Sequence, residues 1–129
     1  MRKTYKIIIF TTFFSFVFSA DQPKSIKATR TWVNKNGHLI IKDFVKLLSI
    51  PNVASDKVNI RKNAEYISSL FEKRNFKMKL LELEKANPII YGELKTPGAK
   101  RTLCFYVHYD GQPVNEREWT HQPFKPILY

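Results

Sequence analysis

Cysteine, glycine and histidine are all scarce in this 129-residue chain: one Cys, four Gly and three His. The lone thiol, Cys104, has no partner for an internal disulfide, which excludes a disulfide-stapled secreted miniprotein. No cysteine pair or cysteine–histidine cluster exists to build a structural zinc knuckle. Long hydrophobic runs are also missing. The longest uncharged apolar stretch, Ile7–Ala20, falls short of the roughly 20 apolar residues that a membrane-spanning helix needs. Acidic groups are few, with 11 Asp and Glu against 22 Lys and Arg, for a formal charge of +11. There is no internal repeat and no low-complexity tract.

What is present begins with a targeting pattern. Arg2, Lys3 and Lys6 precede IIIFTTFFSFVFSA, a basic head, an apolar centre and a small-residue exit, so residues 1–20 are expected to be a secretory signal peptide. Cleavage after Ser19 would place Val17 and Ser19 where small side chains are preferred; cleavage after Ala20 would put Phe18 at one of those positions. An uncleaved anchor is the other reading. No cysteine follows the run, which argues against a lipid anchor. The expected location is outside the cytoplasm, periplasmic or secreted, with no stable membrane span. Setting aside Arg2, Lys3 and Lys6 lowers the formal charge from +11 to +8. The remaining lysines are scattered along the sequence rather than bunched, which predicts a solvated surface and no nucleic-acid partner.

The residues after Ala20 suffice for one small domain but not for two. Residues 21–37 are polar and lysine-rich, either a flexible lead-in or the start of the first helix, with Asn36-Gly37 as punctuation. From His38, the apolar residues Ile40, Phe44, Leu47 and Leu48 recur at helical spacing until Ile50-Pro51, where proline pushes its predecessor out of helical geometry. Asn52–Asn59 reads as a loop. A second helix carries Ile60, Ala64, Ile67, Leu70 and Phe71 on one face, opposite Arg61, Lys62, Glu65, Glu72 and Lys73, and stops near Arg74-Asn75. Phe76, Met78 and Leu80 then alternate with Lys77 and Lys79 as a half-buried strand should. PIIYGEL (Pro88–Leu94) and TLCFYVH (Thr102–His108) are two further strand candidates, joined as a hairpin through Pro97-Gly98. The last is apolar on both faces, which predicts an inner strand with Cys104 buried in it. The layout is α/β: two helices, then about three strands of a mixed sheet flanked by helices.

One short motif carries chemistry. Side chains two apart on a strand face the same way, so His108 and Asp110 are expected to emerge together where TLCFYVH ends. A neutral imidazole can ligate zinc through one nitrogen while a carboxylate accepts the proton on the other, which fixes tautomer and orientation. The plain alternative is a strand end followed by an Asp-Gly turn, with the histidine bonded to nearby backbone.

The wording around the motif resembles a known family, the di-zinc peptidases and deacylases that include carnosinase-type dipeptidases, aminoacylases, acetylornithine deacetylase and succinyl-diaminopimelate desuccinylase. The resemblance rests on LCFYVHYDGQPV (Leu103–Val114), then Trp119, then Gln122-Pro123-Phe124-Lys125-Pro126. Upstream, FVKLLSIPNV (Phe44–Val53) and NAEYISSLFEKRNF (Asn63–Phe76) are similar to the family's first two helices. Residues 38–129 are thus expected to be the N-terminal portion of a zinc-peptidase catalytic domain, of the dipeptidase-like branch. Many relatives have glycine where Val107 stands.

The resemblance implies that His108 is a zinc ligand and that Asp110 is the catalytic aspartate that orients it and is needed for full activity. His38 and His121 match no ligand and are expected to be surface residues. It also implies two zinc ions, a dipeptide or N-acyl amino acid substrate, and homodimerisation of a full-length form. The family's bridging aspartate, paired glutamates and last histidine come after the Pro-Phe-x-Pro stretch, and this chain reaches Tyr129 before any of them. The 129-residue piece alone is therefore expected to be inactive. A small secreted basic binding module and a remnant without function are the competing readings.

Overall fold

The computed structural model describes residues 23–128. The expected signal peptide, residues 1–20, lies outside the described residues. The chain divides into two units, Met1–Lys35 and Asn36–Tyr129. Its elements are α1 (Lys24–Leu48), α2 (Lys57–Glu72), β1 (Lys77–Leu81), β2 (Ile89–Glu93) and a short 3-10 turn at Glu116–Glu118. The class is α/β, with two helices and a two-stranded antiparallel sheet.

Of the two readings of the segment before His38, the structure selects the helical one from Lys24 onward. Helix α1 begins at Lys24 and continues through Asn36-Gly37 without a break. An interior glycine costs a helix only about 1 kcal/mol relative to alanine, which cooperative turns on both sides absorb. Thr29 and Thr31 fold back to donate their hydroxyls to the carbonyls of Ser25 and Lys27, each at 2.9 Å. No residue of α1 is buried.

Helix α2 holds the core. Ile60 and Ala64 are fully buried on the expected stripe, and Asn63 is 2% exposed beside them. Asp56 caps the helix: its carboxylate accepts from the Asn59 backbone N–H at 3.1 Å and from the Asn59 amide at 2.6 Å. Those two bonds hold the Asp56 carboxyl below its ordinary pKa, the backbone bond first. At the other end Asn75 takes a left-handed conformation (φ 64°). The Phe76 N–H then bonds the Phe71 carbonyl at 3.2 Å, and the two rings meet edge to face with centroids 5.1 Å apart. This is how the helix stops beside Arg74-Asn75 and hands over to a strand.

Strands β1 and β2 pair antiparallel, with Lys79 opposite Tyr91 and Leu80 opposite Ile90. Met78 and Leu80 are half-buried while Lys77 and Lys79 are exposed, as the alternation predicts. The expected hairpin between PIIYGEL and TLCFYVH is corrected: β2 pairs with β1. The Pro97-Gly98 turn does form, closed by the Ala99 N–H on the Thr96 carbonyl at 3.2 Å, with Gly98 at φ 75°. Beyond it, Thr102–His108 enters no ladder among the described residues. Leu103, Phe105, Tyr106 and Val107 are 81–85% exposed, and Cys104 is exposed rather than buried. A strand that is apolar on both faces needs a layer above and below it, and the described residues supply neither.

Candidate functional site

Three short segments, remote in sequence, meet around the His-x-Asp motif. The Gly111 N–H donates to the Asn52 carbonyl at 2.7 Å, and the Ala54 N–H donates to the Gly111 carbonyl at 3.0 Å. These bonds form an isolated parallel bridge between Val53 and Gly111. The Asn52 amide also donates to the Tyr109 carbonyl at 3.3 Å. Gly111 lets the two segments approach closely: a Cβ there would sit 3.0 Å from Asn52 Oδ1 and 3.2 Å from Nδ2, so the Asn52 side chain would have to shift. Tyr109, between the two motif residues, is only part exposed and reaches the segment before β2. Its hydroxyl donates to the carbonyl of buried Pro88 at 2.6 Å. Burial pushes the Tyr109 phenol above its ordinary pKa, the nearby Asp110 charge adds to this, and Arg61 opposes it. Asn87 completes the knit, donating to the Ala54 carbonyl at 2.9 Å.

A buried amide fixes the segment before this one. Asn63, on α2, donates to the Pro51 carbonyl at 2.7 Å, to the Asn59 carbonyl at 3.0 Å and to the Ile50 carbonyl at 3.4 Å. It thereby ties Ile50-Pro51 to the core helix and sets where Asn52 begins.

On this support stand the two predicted residues. His108 Nδ1 lies 3.1 Å from Asp110 Oδ1, so the structure brings the pair together. With Nδ1–H donating to the carboxylate, Nε2 is left as an acceptor, and the Tyr106 hydroxyl lies 3.5 Å from it. The Tyr106 and His108 rings pack edge to face with centroids 5.5 Å apart. The His108 side chain is 73% exposed and that of Asp110 37%. This arrangement, a tautomer held by a carboxylate with the opposite nitrogen in only a long contact to the Tyr106 hydroxyl, suits a metal-ligating imidazole once that hydroxyl turns aside. Among the described residues, no group of three or more His, Cys, Asp or Glu lies close enough together to hold a metal ion. His38 and His121 are both exposed, as expected.

The Pro-Phe-x-Pro stretch forms a tight turn closed by the Lys125 N–H on the Gln122 carbonyl at 3.2 Å. Pro123 is buried at its second position, and Phe124 follows at φ 59°, where a type II turn normally takes glycine. A bulky residue held in that region signals a conformation imposed by its surroundings.

The sequence reading missed Asn52, Asn63 and Asn87. Asn52 read as part of a loop and the other two were not singled out, and the only hint was that Asn52 and Asn63 fall inside the stretches that carry the family resemblance. Comparison with protein families, with curated proteins and with solved structures finds no match for this chain.

Proposed function

We propose that residues 38–128 belong to the N-terminal part of the catalytic domain of an exported zinc-dependent hydrolase, acting on dipeptides or N-acyl amino acids. The observation that carries this reading is the His108 Nδ1 to Asp110 Oδ1 contact of 3.1 Å on a largely exposed imidazole. His108 supplies a zinc ligand, and Asp110 holds its tautomer and raises its basicity. Bound zinc would polarise the amide carbonyl and lower the pKa of a metal-bound water. Catalytic zinc takes about three protein ligands, so this reading requires further ligands and a general base from polypeptide that the described residues do not include. The same polypeptide would pair with Leu103–Val107, turning an exposed apolar segment into an inner strand and covering Cys104. Export follows from the apolar run Ile7–Ala20 and its basic head.

The test is to express the protein from its native coding sequence, including any codons after Tyr129, and assay it for zinc and for hydrolysis of a dipeptide and N-acyl amino acid panel. Two zinc ions per chain and chelator-sensitive hydrolysis are expected. His108→Ala should abolish hydrolysis and lower the zinc content, and Asp110→Asn should lower activity or metal affinity roughly 10- to 100-fold. A native product that binds no zinc and hydrolyses nothing on the panel would overturn the reading.

A further inference from the structure

The lysines that look scattered in sequence are not scattered on α1. Lys24, Lys27, Ala28, Thr31, Trp32 and Lys35 line one shallow groove along the first half of the helix. At 100° per residue they occupy roughly 140° of its circumference and about 16 Å of its length. No Asp or Glu occurs from Gln22 to Lys42, so nothing on this half of the helix neutralises the stripe. Lys24, Lys27 and Lys35 make no ion pair among the described residues. Trp32 is 53% exposed.

We propose that this face of α1 docks onto an anionic phospholipid surface, with the helix lying along the surface and Trp32 at the boundary between headgroups and acyl chains. Three features favour lipid over other polyanions. The cations of the stripe are lysines, flexible point charges suited to a diffuse anionic surface, whereas recognition of discrete phosphates draws on the planar fork of arginine. Lysine stems lie along apolar material while their ammonium groups reach outward to headgroups. Tryptophan is the side chain most at home at a membrane–water interface, and small Ala28 and Thr31 between the lysines let the backbone approach it. No described helix is long and apolar enough to cross a membrane, which suits a helix that rests on one.

The test uses the full chain with Trp119→Phe, so that tryptophan emission reports Trp32. It is mixed with vesicles of phosphatidylcholine alone or with about one-third phosphatidylglycerol. Reading Trp32 rather than total binding separates the stripe from the apolar run Ile7–Ala20. The expected result is a blue shift and quenching by brominated lipid only where anionic lipid is present, both lost at high salt. Each basic residue near such a surface contributes about fivefold to partitioning. Lys24→Gln with Lys27→Gln and Lys35→Gln should therefore weaken the anionic-lipid signal about a hundredfold, while the charge-matched set Lys77→Gln, Lys79→Gln and Lys125→Gln leaves it largely intact. Equal loss in the two sets would overturn the proposal, because diffuse charge would then explain the binding. Absence of Trp32 quenching would overturn it as well. So would stripe-dependent binding to heparin without any shift on anionic vesicles, which would make the stripe a site for a soluble polyanion.

Discussion

Replacing Asn63 tests whether one buried amide holds the site loop to the core. Its Nδ2 donates to the Pro51 carbonyl at 2.7 Å, and the residue is 2% exposed. Asn63→Ala leaves that carbonyl without this donor and opens a void, at a cost of about 1–3 kcal/mol. Alanine returns up to about 0.7 kcal/mol through better helix propensity. The expected net loss is thus about 1–2 kcal/mol, a shift of about 1 M in the midpoint of a urea unfolding curve followed by helical circular dichroism. Asn63→Asp sharpens the test because it keeps the volume but loses the donor. The new carboxylate would face the carbonyls of Ile50, Pro51 and Asn59, so its folded pKa would rise above the unfolded value near ~3.9. A raised folded pKa means that stability is retained below the unfolded value and lost as pH rises through the folded one. The deficit of Asn63→Asp against the parent should therefore be small below about pH 4 and grow toward neutrality. An alanine variant as stable as the parent, or an aspartate variant whose deficit ignores pH, would refute the assignment of Asn63 as the tie.

Other substitutions probe the remaining joints. Gly111→Ala, whose Cβ would meet the Asn52 side chain at 3.0 Å, should destabilise by about 1–2 kcal/mol, and less when Asn52→Ala has already cleared the space. A double-mutant cycle in urea reads that coupling, and simple additivity would mean that the two do not touch. Tyr109→Phe removes the 2.6 Å hydrogen bond to the Pro88 carbonyl and should cost about 1–2 kcal/mol in the same assay. Ser68→Ala deletes a buried hydroxyl that has no hydrogen-bond partner among the described residues and should leave stability unchanged or raise it by up to about 1 kcal/mol. Asp56 has a folded pKa below its ordinary value, because Asn59 donates to its carboxylate. Its capping contribution is therefore present above the unfolded pKa and fades as pH falls through the folded one. Asp56→Ala should flatten that acid limb, and an unchanged limb in pH-dependent melts would count against the cap.

Local periodicity made a good part of the molecule legible. The stripe Ile60, Ala64 and Ile67 announces α2, the alternation of Met78 and Leu80 with lysines announces β1, and the two-residue spacing of His108 and Asp110 puts one within 3.1 Å of the other. These are near-neighbour relations, set by backbone geometry alone. Exposure of Leu103–Val107 was not legible, because an apolar strand declares what it needs on its two faces and not whether the rest of the fold provides it.

Sequence by itself determined the class of α2, β1 and β2 and the proximity of a histidine to a carboxylate two residues on. Tertiary structure alone decided that Gly111 would lie against Asn52, that Tyr109 would reach Pro88, and that Asn63 would hold Pro51. The reason is physical. A helix or strand follows from interactions a few residues apart, whereas a buried asparagine takes its meaning from whichever orphaned carbonyl the folded chain brings to it.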